Sequence, residues 1–283
     1  MELWFSEKHT KNVRFSIKID KQLFSEKTEH QRIDVFESID FGRCLVLDGS
    51  VMFSEKDEFV YHEMIVHPAL AVHPNIKSVL VIGAGDGGVV RELCHYSSIE
   101  QIDLVEIDQM LIFAAKKFLP KSSYKLSDPR VNIIISDGLK FVRKCEDKYD
   151  LIIVDSPDPY GPAEPLFTKE FYGNCYKALK ENGIMVNQHE SPFYEPDALA
   201  MQKVHKNIYK TFEICRVYQA HIPIYPSGHW LFGFASKKYH PLKDLKEDYW
   251  NSLNIKTKYY NTNLHKGAFY LPNYVTELLE HVE

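Results

Sequence analysis

Val79-Leu80-Val81-Ile82-Gly83-Ala84-Gly85-Asp86-Gly87-Gly88 is the stretch on which the fold turns. An unbroken apolar run enters a turn dominated by glycine, the form of a strand buried on both faces that hands the chain directly to a helix. Glycines at such a junction permit positive φ and let a ligand approach the backbone, while the helix start favours an anion or a polar group. The stretch satisfies GxGxxG through Gly88 and GxGxG through Gly87, so by itself it fixes neither ligand nor chemistry.

From Lys77 onward the same texture repeats: short apolar runs at 78–82, 101–106, 131–135, 151–154 and 183–187, separated by helical patterns such as 113–119 and the spacing of Met201, Val204, Ile208 and Phe212. This βαβαβ alternation predicts an α/β fold with a doubly wound, Rossmann-like parallel sheet. Two further β-like runs, 214–222 and 230–235, are separated only by 223–229, which is too short for a crossover and predicts an antiparallel pair. Upstream, Val13, Phe15, Ile17 and Ile19 alternate with polar residues, and runs at 31–37 and 44–47 end at Asp48-Gly49, a hairpin signal. Residues 1–55 therefore form a small antiparallel β domain, and 56–283 a catalytic domain whose tail after Pro241 takes no place in the scheme. The tetrapeptide FSEK recurs at 5–8, 24–27 and 53–56, but its unequal spacing does not describe a solenoid.

A chain of 283 residues with 45% hydrophobic and 26% charged residues buries a full core, which excludes disorder, collagen and a disulfide miniprotein. Lys+Arg 34 against Asp+Glu 39 gives a net charge of −5, which lacks the electrostatic footprint of a nucleic-acid-binding protein and suits a cationic small molecule. The five cysteines, Cys44, Cys94, Cys145, Cys175 and Cys215, are widely spaced without a CxxC pair, as in a reduced compartment. The start, Met1-Glu2-Leu3-Trp4, lacks the basic region of a signal peptide, and no apolar run reaches the ~18 residues of a membrane span. A cytoplasmic protein without membrane partners is expected.

Candidate chemistry sits at the ends of the expected strands. Glu106 closes the second, at the spacing where a carboxylate takes two ribose hydroxyls. Asp86, inside the glycine turn, opposes a pyrophosphate but not a cationic adenosyl ligand. Asp137-Gly138 follows the third strand, where the carboxylate can accept from an adenine amine and the glycine admits the ring. The fourth ends in Val154-Asp155-Ser156-Pro157-Asp158-Pro159, two carboxylates in a proline-stiffened segment able to hold a cationic amine and take its proton. His62 and His67 are five residues apart, whereas one helical face needs four, and neither serine nor cysteine occupies a nucleophile motif. Neither metal nor covalent catalysis is expected. An amine N-methyltransferase, a non-catalytic nucleoside- or polyamine-binding protein and, more weakly, a nicotinamide enzyme remain open.

Gly83-Ala84-Gly85-Asp86-Gly87-Gly88, Asp57-Glu58-Phe59-Val60-Tyr61-His62-Glu63-Met64, the 154–159 segment with Gly161-Pro162-Ala163, and Ile222-Pro223-Ile224-Tyr225-Pro226-Ser227-Gly228 together resemble the polyamine aminopropyltransferases, in particular the spermidine synthases. The match runs in order from about Trp4 to Lys238. The resemblance implies a methyltransferase-type core that binds decarboxylated S-adenosylmethionine as co-substrate, with no further cofactor, and transfers its aminopropyl group to putrescine. It makes Asp155 the general base and places Asp158, Tyr61, Tyr225 and Ser156 at the amine. Glu106 and Gln31 take the ribose, Asp137 and Gly138 the adenine, Asp86 and His62 the aminopropyl ammonium, while Gly83, Gly85 and Pro162 line the donor side. Family members are commonly homodimers or homotetramers. Departures are Ala84 for a frequent glycine, Met52 for a glutamine near the donor, and Pro157 for a Ser or Thr. Gln188-His189-Glu190 leaves open whether Glu190 meets the distal amine, so another di- or triamine acceptor stays an alternative.

Overall fold

The computed structural model describes residues 2–157 and 161–283. Its first strands form two antiparallel units: β1 (Leu3–Lys8) pairs with β2 (Arg14–Ile19), and β3 (Lys21–Lys27), β4 (Arg32–Ser38), β5 (Gly42–Leu47) and β6 (Ser50–Ser54) follow as a meander. In β2 the expected alternation appears, with Phe15, Ile17 and Ile19 turned inward and Arg14, Ser16 and Lys18 outward. Asp48 (φ 48°) and Gly49 (φ 89°) supply the pair of positive φ angles that a type I′ hairpin needs.

Helix α1 (Glu58–Val72) then leads into a seven-stranded sheet. Its parallel strands are β7 (Ser78–Gly83), β8 (Gln101–Glu106), β9 (Val131–Ile135), β10 (Tyr149–Asp155) and β11 (Leu179–Gln188), in the spatial order β9-β8-β7-β10-β11. The edge beyond β11 is made by β12 (Ile214–His221) and β13 (His229–Ser236), an antiparallel pair attached through β13, as their short connection requires. Helices α2 (Gly88–Leu93), α3 (Gln109–Phe118), α4 (Pro120–Ser123), α5 (Gly138–Val142), α6 (Lys169–Ala178) and α7 (Glu195–Tyr209) connect the strands. The order reverses between β7 and β10, whose last residues, Gly83 and Asp155, stand opposite each other in register. Such a switch point opens a crevice at the carboxyl ends of the strands.

Two element boundaries differ from the sequence reading. β11 begins at Leu179, because pairing of Leu179 with Tyr149 draws the turn-like Lys-Glu-Asn-Gly segment into the strand. α7 begins at Glu195, well before the periodic apolar residues, with Pro196 in its first turn.

Helix α1 is buried nearly all round, packed against α2, β11 and the C-terminal tail. Pro68 within it has no N–H to offer the Met64 carbonyl, and the Tyr218 hydroxyl donates to that oxygen instead at 2.7 Å. The tail forms α8 (Glu247–Ser252), α9 (Thr262–Ala268) and α10 (Asn273–Glu280). It is tied to α1 by the Glu63 carboxylate, which accepts from the backbone N–H groups of Lys258, Tyr259 and Tyr260, each at 2.8 Å. Trp250 adds an N–H donated to the Tyr96 hydroxyl at 3.0 Å. Among the described residues all five cysteines are unpaired, and no helix is long and apolar enough to cross a membrane.

Glu63→Ala strands three backbone donors at once. It should lower the unfolding free energy by about 3 kcal/mol, read from the denaturant midpoint, and should open the amides of 258–260 to hydrogen exchange.

Candidate active site

Backbone geometry holds the switch point together. A Cβ on Gly83 (φ 84°) would stand 1.9 Å from the Asp155 carbonyl oxygen, to which the Ala84 N–H donates at 3.0 Å. Ala84 itself sits at φ 61°, where an L residue is strained by about 1 kcal/mol. The replacement of a frequent glycine is thus a local strain rather than a neutral exchange.

A cavity follows the strand ends across this point. On its β7 to β9 side lie Gly83, Gly85, Asp86, Glu106, Asp137 and Gly138. At β10 come Asp155 and Ser156, α1 contributes Tyr61 and His62, the 28–31 turn Gln31, and the β12–β13 connection Tyr225. The structure brings all these expected site residues to one space; Asp158 and the side chain of Pro162 lie outside the described residues.

At the end of β8, Glu106 is buried and accepts the Asp108 N–H at 2.9 Å, and burial with the neighbouring Asp108 charge pushes its carboxyl up to about 7. Asp108 caps α3 through Met110 N and accepts from Gln31 Nε2 at 3.2 Å and Thr28 Oγ1 at 2.8 Å, so it positions Gln31 across from Glu106. Asp137 caps α5 by accepting the Lys140 N–H. Met52 lines the cavity where a glutamine would donate, and its carbonyl accepts the Tyr225 hydroxyl at 2.6 Å.

The centre is electrostatic. Asp86, His62 and Asp155 offer one ligand atom each within 4.8 Å of one another. His62 lies between Glu58 (2.5 Å to Nδ1) and Asp86 (3.2 Å to Nε2). Burial lowers the pKa of its ring, but Asp86 and Glu58 outweigh that and raise it to about 10. Burial raises Glu58, yet His62 and the paired Arg91 contacts at 2.8 Å hold its carboxyl down at about 2. A protonated imidazole has no lone pair for an ammonium or a metal ion. His62 thus meets Glu58 on one side and Asp86 on the other and orients the Asp86 carboxylate, which carries the negative charge of the pair toward the cavity. Gly88 permits this contact, since a Cβ there would lie 2.2 Å from the His62 ring.

Burial and the nearby Asp86 raise the Asp155 carboxyl to about 7, with His62 and the Tyr61 hydroxyl, which donates to Oδ1 at 2.5 Å, offsetting part of the rise. Burial and Asp155 keep the Tyr61 phenol protonated. A carboxylate that exchanges its proton near neutrality, beside an acid that stays ionised, suits removal of a proton from a bound amine. Tyr61, Tyr225 and Trp230 form an aromatic wall, with ring centroids 6.2 and 4.7 Å apart in succession.

Beyond β10 the cavity reaches Gln188 and Glu190, joined by Gln188 Nε2 donating to Glu190 Oε1 at 2.7 Å and Glu190 N–H donating back at 3.0 Å. Glu190 thus faces the cavity. Sequence reasoning missed Glu7, His9 and Asp197, which line it too. The β1–β2 hairpin lays His9 against Asp197 at the start of α7, a contact that no local pattern announces.

Residues 58–247 match the spermine/spermidine synthase domain family, and residues 3–55 the spermidine synthase tetramerisation domain family. The chain is 64% identical over 279 residues to a polyamine aminopropyltransferase of Clostridium beijerinckii, covering 99% of this chain and 98% of the relative. It is 64% identical over 283 residues to one of Alkaliphilus oremlandii, covering both completely. Among solved structures, a spermidine synthase in complex with the transition state analogue AdoDATO superimposes with a TM-score of 0.96 at 43% identity, over 99% of this chain and 95% of that one. The spermidine synthase of Thermotoga maritima gives 0.94 at 42% identity, over 99% and 94%.

The raised Asp155 pKa has a consequence for stability. Its folded pKa exceeds its unfolded one, so stability present below about pH 4 is lost as pH rises through about 7. Asp155→Asn cannot ionise and should raise the melting temperature at pH 8 by ~3 °C, a gain absent at pH 4; calorimetry at the two pH values checks it.

Proposed function

The chain belongs to the spermine/spermidine synthase family and is a polyamine aminopropyltransferase, and from that premise we propose that it transfers the aminopropyl group of decarboxylated S-adenosylmethionine to putrescine. The products are spermidine and 5′-methylthioadenosine. The observation that carries this reading is the pairing of Asp155, poised near 7, with Asp86, held ionised by His62, in one cavity.

Putrescine is dicationic in water, its amines titrating near ~10, and a protonated amine cannot attack. Asp155 accepts the proton. The nitrogen lone pair then forms a bond to the aminopropyl carbon next to the sulfonium, the C–S bond breaks, and its electron pair stays on sulfur. The neutral thioether leaves in methylthioadenosine. The protein aligns two cations and takes one proton, so catalysis is positioning and electrostatics. Tyr61 fixes the Asp155 carboxylate, and Tyr225, Ser156 and Asp158 hold the amine. Glu106 and Gln31 take the ribose, Asp137 and Gly138 the adenine, and Gly83, Gly85 and Pro162 border the donor. Asp86 attracts the donor's ammonium and repels the carboxylate of ordinary S-adenosylmethionine.

We further read the protein as a cytoplasmic homotetramer. Its five unpaired cysteines fit a reducing compartment. Leu3 (49% exposed) and Trp4 (56%) present apolar surface within the segment that matches the tetramerisation domain.

Incubation with putrescine and either donor form should give methylthioadenosine and spermidine from the decarboxylated donor alone; S-adenosylhomocysteine with a methylated amine from the ordinary donor would overturn the reading. Asp155→Asn should reduce kcat by ~100-fold or more with a smaller change in donor binding. In the unaltered protein kcat/KM should fall on acidification with an apparent pKa near 7. The corresponding limb of kcat should lie lower, because two bound cations favour the ionised carboxylate.

A further inference from the structure

The sheet order divides the cavity into two arms. The ends of β7, β8 and β9 carry the nucleoside side, so the arm that starts at β10 and passes the end of β11 receives the amine. Gln188 and Glu190 follow the end of β11 into this arm, and Asp197, in the first turn of α7, lines the same cavity. From the N-terminal hairpin His9 meets Asp197, with Glu7 on the other side of its ring.

His9 is built into this position. Its Nε2 lies 3.0 Å from Asp197 Oδ2 and its Nδ1 3.4 Å from Glu7 Oε1. The ring meets Tyr194 edge to face at 4.4 Å between centroids. Glu7 is fixed in turn, its Oε2 accepting the Val51 N–H at 2.8 Å, and the three side chains are only 7–16% exposed. Contacts to both acids raise the His9 pKa to about 9, so at neutral pH the protein's own cation occupies this carboxylate pair.

Resting on the aminopropyl-transfer reading, we propose that His9, strapped between Glu7 and Asp197, sets acceptor length by filling the place that a further ammonium of a longer polyamine would take. A diamine places one nitrogen at Asp155 and ends within the arm. A linear triamine bound through the same terminal nitrogen carries an additional spacer and an additional positive charge toward the hairpin. There it meets an imidazolium already holding the two acids, a like charge placed where the ammonium would have to sit. Discrimination thus comes from a cation supplied by the chain, which already occupies the two acids and halves their negative charge, and removing it frees both carboxylates for a further ammonium.

The test compares putrescine with spermidine as acceptor, decarboxylated S-adenosylmethionine being the donor, in the full-length protein, His9→Ala and His9→Gln. Mass analysis identifies each amine product. Both substitutions should raise the ratio of kcat/KM for spermidine to that for putrescine by tenfold or more; His9→Gln isolates the charge because it keeps most of the side-chain volume. Calorimetric binding of spermidine in the presence of methylthioadenosine should tighten in parallel, a change that general loosening of the hairpin does not produce. Turnover of putrescine by all three proteins with an unchanged ratio overturns the role of His9 and leaves aminopropyl transfer standing. Absence of methylthioadenosine from every protein with either amine overturns both.

Discussion

Carboxylates crowded at the carboxyl ends of a parallel sheet repel one another, and the rest of the structure is arranged around that constraint. Asp86, Glu106 and Asp155 border one cavity, and in a poorly solvated space three ionised acids are costly. Two devices relieve the cost. Charge alternates outward from the site, Asp86 to His62 to Glu58 to Arg91 to Glu92, through contacts of 3.2, 2.5, 2.8 and 2.8 Å. The other acids are left close to half-protonated near neutrality, as the raised pKa values of Glu106 and Asp155 express.

This alternation explains features that look unrelated. Gly88 is required because His62 must approach the start of α2 more closely than any Cβ permits. Helix α1 presents Glu58, Tyr61 and His62 to the site or its support while Glu63 gathers the tail, which is why it is buried nearly all round instead of showing one apolar stripe. The tail is accordingly a structural layer behind the site: His67, on the far side of α1 from His62, meets the Tyr96 hydroxyl, and Tyr96 meets Trp250. A site with such charges favours cationic ligands before any specific contact forms. Their binding in turn stabilises the fold, since it permits Asp155 to ionise at lower pH.

Much of this was legible in the sequence where a physical period or a backbone requirement leaves a local trace. The parallel strands are continuous apolar runs because both faces are covered, and Asp48-Gly49 declares a hairpin because few other pairs adopt two positive φ angles. Glu106, Asp137 and Asp155 could be found because each follows directly from a strand end. β3 left no such trace, since an edge strand with most residues exposed needs no alternation, and β1 exposes Leu3 and Trp4 for the same reason. The tail was unreadable because its anchor, Glu63, lies nearly 200 residues earlier in the chain.

The two arms of the cavity differ in the same respect. The arm at β7, β8 and β9 is assembled by successive strands of one sheet, so its residues recur at one structural position and chain order reveals them. The arm beyond β10 draws Asp155 from β10, Glu190 from the end of β11, Asp197 from α7, Tyr225 from the β12–β13 connection, and Glu7 and His9 from the first hairpin. Segments that meet only through tertiary packing are constrained by shape and charge at a distance, not by spacing, and each can vary without disturbing the sheet. What the strand ends hold is therefore written into the scaffold, whereas the far arm is built from parts that the scaffold merely brings together.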